Sequence, residues 1–134
     1  MDWKETKAPT LADFERLADE AFARLPAHFR ERAKGVILRI EDFPDEEVMA
    51  EMGLESPFDL LGLYQGVGQP YEQASSITHL PDMVFLYRRP ILDYWAEFDE
   101  TLGHLITHVL VHEIGHHFGL SDDDMHSIED AASD

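Results

Sequence analysis

One stretch near the C-terminal end decides how this chain is read: His112-Glu113-Ile114-Gly115-His116-His117-Phe118-Gly119-Leu120-Ser121-Asp122. Residues four apart on an α-helix project from nearly the same face, so His112 and His116 can present two imidazole nitrogens to a single ion. Glu113 lies about 100° round the helix from His112, off the ligand line and within reach of a water held on that ion. A carboxylate so placed can act as general base while zinc lowers the pKa of the water and polarises a scissile carbonyl. Two histidines are too few, because a catalytic zinc site has three protein ligands and one open position. Gly119 falls where the helix should end, and glycine tolerates the left-handed conformation that turns the chain back. Asp122 can then swing beneath the metal as third ligand, and zinc accepts carboxylate oxygen readily. Glu129 and His126, further along the tail, are its rivals, with Glu129 the stronger.

Working outward, Leu105, Ile106, Val109, Leu110, Val111, Ile114 and Phe118 surround most of the helix, which predicts a buried helix rather than a surface one. Unpaired charge is costly in such a place, so Glu113 and the two histidines call for partners that a metal would supply. His104 and His108 continue the four-residue series upstream, but each step drifts by about 40°, so packing or exposure is expected for both. His117 is expected beside the ligands, not among them, and His28 and His79 are isolated. Asp122, Asp123 and Asp124 lack the spaced oxygens and glycine of a calcium-binding loop, and capping of a tail helix is expected of the latter two. Core packing is expected for Tyr64, Tyr71 and Tyr87, and surface ion pairs for Arg88 and Arg89.

The 134 residues, 44% of them hydrophobic, suit one domain spanning 1–134. With no cysteine there is no thiol nucleophile and no cysteine-held zinc, so any metal must take nitrogen and oxygen ligands. A formal charge of -18 repels phosphate backbones and anionic lipid, which argues against nucleic acid and membrane as partners. The start, MDWKETKAPT, is charged throughout, and the chain has no apolar run long enough for a membrane span, so a cytoplasmic location is expected.

Elsewhere the pattern predicts an α+β fold with about three strands and helices against them. Leu11 to Leu25 keeps a helical face behind the cap Thr10. Val36 to Ile40 reads as a strand covered on both faces, Asp45 to Met52 as a short helix, and Leu60 to Tyr64 as a short strand among loops. Met83 to Tyr87 reads as another strand, after a turn at Leu80-Pro81-Asp82. It is expected to border the His112 helix and to expose an edge on which an extended peptide could add. The segment from Ile91 to Phe118 is helical, with a break near Asp99 to Gly103 where Thr101 can cap a new start, and Asp122 to Ala132 offers one more short helix.

Three blocks, LLGLYQGV from Leu60, LPDMVFLYRRP from Leu80 and VLVHEIGHHFGLSD from Val109, resemble the minimal zincins, short bacterial zincin-like metallopeptidases. The resemblance implies a compact zincin core, an active-site helix and a single zinc on His112, His116 and Asp122. It implies Glu113 as catalytic acid and base, and a peptide or protein as substrate. The final block also fits the metzincin spacing with aspartate for the last histidine, but Met125, three residues after Asp122, comes too early for a metzincin methionine turn. The expected activity is therefore zinc-dependent hydrolysis, most simply of peptides. The alternative is a non-catalytic binding or regulatory module with a structural or vestigial zinc, and Glu113 argues against it because a structural site would fill its fourth position with protein.

Overall fold

A computed structural model describes residues 2–66 and 81–132; Tyr71, His79 and the Leu80 end of the expected turn lie outside them. Helix α1 (Leu11–Ala23) begins at Thr10, whose hydroxyl accepts from the Asp13 amide while the Asp13 carboxylate accepts from the Thr10 amide. These two bonds satisfy donors that the first turn leaves without helical partners. A short α2 (Ala27–Arg32), which the sequence pattern had not suggested, follows Pro26 and buries Phe29. Strand β1 (Ile37–Glu41) leads to α3 (Glu46–Met52), capped by Asp45. A 3-10 turn at Pro57–Asp59 precedes β2 (Gly62–Gln65), and β3 (Met83–Tyr87) runs into α4 (Arg88–Glu97). The helical region then breaks as expected, restarting at Thr101 as α5 (Leu102–His117), and α6 (Asp122–Ala132) ends the described chain.

The sheet is mixed, in the order β1-β3-β2, with β3 parallel to β1 and antiparallel to β2. Two expectations fail here. β3 is the central strand with both edges paired, so it offers no edge to a peptide. Among the described residues, the edge beside α5 belongs to β2 instead. Nor is β1 covered on both faces: Ile37 and Arg39 are exposed, and only the alternate residues Leu38 and Ile40 pack on the core. This is the two-residue alternation of a strand with one solvated face.

The core lies between α1, α5 and the sheet, where Phe14, Ala18 and Ala21 meet Val84, Leu86, Ile106 and Leu110. α5 is apolar round most of its girth, and its buried residues include Leu105, Ile106, Val109, Leu110, Val111 and Ile114. The residues of α5 that reach the surface are mainly the histidines, and they do so on one side. The helix is thereby locked by its packing, and the polar face it carries inherits that rigidity.

Candidate metal centre

α5 stops where glycine permits it. Gly119 has φ +74°, its amide donates to the His116 carbonyl, and the Leu120 amide donates to the Gly115 carbonyl. These two bonds form a Schellman reversal and close the carbonyls that the helix end would leave bare. Ser121 then caps α6: its hydroxyl accepts from the Asp124 amide, and the Asp124 carboxylate accepts from the Ser121 amide. Asp124 thus takes the capping role expected of it. Asp122 lies exposed in the first turn of α6, directly after the reversal. Met125 is fully buried against Gly115, and a Cβ on that glycine would lie 2.5 Å from the methionine Sδ. The methionine therefore sits under the motif, although on a helix and not on a turn.

His112 and His116 project from one side of α5, with ring centroids 5.7 Å apart and nearly perpendicular. His116 is exposed, and His112 is half-buried. Burial, and then the neighbouring His108, hold the His112 pKa below its ordinary value, against the opposing pull of Glu129. The neutral imidazole this favours is the form that binds a metal.

Glu113 lies about 100° round the helix from His112, on the side next to β2. Burial pushes its pKa up to about 7, partly offset by a hydrogen bond from the Tyr64 backbone on β2. That is near the value at which a carboxylate both takes and returns a proton at neutral pH. Because the folded pKa exceeds the unfolded one, folding favours the protonated form. Stability from this group is whole below about pH 4.5 and falls as pH rises to about 7. In the metal-free protein, the stability of Glu113→Gln relative to the wild type should rise across that window by an amount on the order of 3 kcal/mol. Urea unfolding of both proteins at pH 4.5 and 7.5 measures the difference, and an equal gap at both pH values would contradict it.

Gly62 lets β2 approach α5 this closely. A Cβ there would lie 2.8 Å from Val109 Cγ1, 3.0 Å from the Phe85 carbonyl oxygen and 3.3 Å from Glu113 Cγ. One of these neighbours is backbone, so the strand itself would have to move. Gly62→Ala should cost about 1–3 kcal/mol in thermal or urea unfolding and displace Glu113; an unchanged midpoint would show that the approach is looser than this.

Among the described residues, one group of three potential ligands has donor atoms all within 4.8 Å of one another: His108, His112 and Glu129. Glu129, on α6, is only 7% exposed, and its two oxygens accept from His108 Nδ1 and His112 Nε2, each at 2.9 Å. Helical spacing alone puts His108 outside the site and makes Glu129 a rival to Asp122. Only His112 is common to this trio and to the set His112, His116 and Asp122. His126, the other rival, lies on the surface 3.7 Å from Asp130. Two imidazoles converging on a buried carboxylate give a nitrogen and oxygen donor set of the kind zinc takes.

A family model described as zincin-like metallopeptidase matches residues 33–132 of the 134. The chain belongs to this family. No curated protein matches it. For this zincin-like chain the match takes in all three strands, α5 and its histidines, the Gly119 reversal and α6 as far as Ala132.

Several other residues singled out from sequence have structural partners. Tyr64 stacks on His117 with centroids 3.9 Å apart, and its hydroxyl donates to Asp82 at 2.7 Å. Tyr87 is buried, and burial together with nearby carboxylates raises its pKa to about 12, so the phenol stays protonated. Arg88 pairs with Asp42 at 2.9 Å and also donates to the Pro9 carbonyl, while the Arg89 guanidinium lies over the Phe43 ring. His104 bonds Glu100 on the exposed side of α5. Among the described residues no helix is long and apolar enough to cross a membrane.

Proposed function

We propose that this protein is a zinc-dependent peptidase in which His112, His116 and Asp122 hold the metal and Glu113 serves as general base and then general acid. The observation that carries this reading is Glu113 itself. It is half-buried next to a motif histidine on a rigid helix, tethered to the β2 backbone, with its pKa drawn up to about 7. A structural metal site has no use for such a group. The Gly119 reversal is compatible with Asp122 as third ligand, because it ends α5 and lets the chain restart at Asp122 three residues later.

Zinc, when bound, supplies a Lewis acid that polarises a carbonyl and makes water more acidic. The residues of the chain do the rest. Glu113 takes a proton from the attacking water and returns it to the leaving amine, and a pKa near 7 makes both transfers feasible at one pH. The apolar surroundings of α5 raise the effective basicity of that carboxylate by excluding water from it. Strand β2 aligns the substrate. The bond from the Tyr87 amide to the Leu61 carbonyl sets the alternation of the ladder, so Gly62 and Tyr64 turn their backbone groups away from β3. A peptide added along that edge passes Glu113, the side chain already held there by Tyr64.

The net charge of -18 favours peptides rich in lysine and arginine over acidic ones. The zinc-loaded protein should cleave an unstructured basic peptide faster than an acidic peptide of equal length, with the gap shrinking as salt is added. Mass spectrometry of the two digests at 50 mM and 500 mM salt tests this, and an equal or reversed preference at low salt would contradict it.

A further inference from the structure

We propose that His108 Nδ1, His112 Nε2 and Glu129 form a second position for a divalent transition-metal cation, distinct from the one on His112, His116 and Asp122. The two exclude each other because both require His112. The proposal rests on the reading of His112 as a metal ligand and otherwise on atoms outside the sequence motif.

Four observations converge. The three donor atoms lie within 4.8 Å of one another, a span one ion can bridge. They come from two helices, and α6 packs on α5 through Met125 against Gly115, so the convergence does not depend on a mobile loop. Glu129 is nearly fully buried, and a buried carboxylate needs a compensating charge. The His108 and His112 imidazoles face it, each 2.9 Å from one of its oxygens and with their rings 4.1 Å apart. A divalent cation held between the two imidazoles and the carboxylate supplies that charge in a single step.

The chemistry of this position differs from that of the motif. With His108 as ligand in place of His116, the ion sits about one helical turn nearer the start of α5. Two of its three ligands change when it moves between the positions, while His112 stays. A wild-type chain therefore holds one cation at a time.

The test is a titration of the metal-free full chain with cobalt(II), read by visible absorption, with zinc competition giving affinities. Circular dichroism verifies the fold of each variant. His116→Ala should still bind one cobalt, with a changed spectrum. His108→Ala should bind one with the spectrum of the motif site, and the double variant should bind at least about tenfold more weakly than either. Glu129→Gln should reproduce His108→Ala, which guards against an effect of the alanine on helix packing. If His116→Ala binds nothing while His108→Ala and Glu129→Gln match the wild type in affinity and spectrum, the second position is refuted and the motif site stands. If His116→Ala matches the wild type while His108→Ala and Glu129→Gln bind nothing, the trio stands and the motif assignment falls. A wild-type chain that binds no cobalt overturns both.

Discussion

Glu113→Gln is expected to keep the fold and the zinc and to reduce hydrolysis by at least about a hundredfold. The amide matches the carboxylate in shape and can still accept from the Tyr64 backbone, so the contact between α5 and β2 survives. What it loses is the ability to take a proton. Glu113 is not proposed as a ligand, so metal content should stay at the wild-type level. Steady-state cleavage of a fluorogenic peptide, with zinc content measured on the same samples, separates the two effects. A fall in activity that tracks a fall in zinc would make Glu113 a structural support of the site and not its base.

His112→Ala should remove tight metal binding altogether, a larger effect than any other single ligand change. Asp122→Ala leaves two imidazoles and lets water complete the set, and His116→Ala leaves the trio with His108 and Glu129. His112 belongs to both arrangements, and each of its alternatives needs it. Its loss should therefore weaken zinc binding by at least about a hundredfold, against about tenfold for Asp122→Ala. Zinc competition with a chromogenic chelator measures all three variants. If His112→Ala binds within about threefold of the wild type, the metal lies elsewhere in the chain.

Local signals in the sequence located most elements because local physics makes them. Thr10 and Asp13 form the capping box that starts α1, Thr101 caps α5, and Gly119 takes the positive φ that ends it. α2 was missed since Pro26 provides no side-chain cap and six residues give too little periodicity to recognise. The pairing of the strands was not legible at all. Met83 to Tyr87 reads as an apolar run whether central or at an edge, and only tertiary pairing places β1 and β2 on either side of it.

The candidate site was legible in the same proportion. His112, Glu113 and His116 follow from helical spacing. Glu129 meets His108 across 21 residues and two helices, a distance over which spacing says nothing. One signal was present nonetheless. Met125, Ile128, Glu129 and Ala132 are the buried residues of α6 and keep the i, i+3, i+4, i+7 spacing of an inward face. A glutamate on that face has to find a partner in the core, and the facing helix carries histidines at 104, 108, 112 and 116.

Zinc-dependent cleavage is tested most directly by incubating an unstructured basic peptide with three samples in parallel: the zinc-loaded wild type, the same protein stripped by chelator, and zinc-loaded Glu113→Gln. Products are identified by mass spectrometry. The account predicts cleavage by the first, none by the second until zinc is returned, and at least about a hundredfold less by the third. Equal cleavage by all three, or none by a wild type shown to carry one zinc, would contradict it.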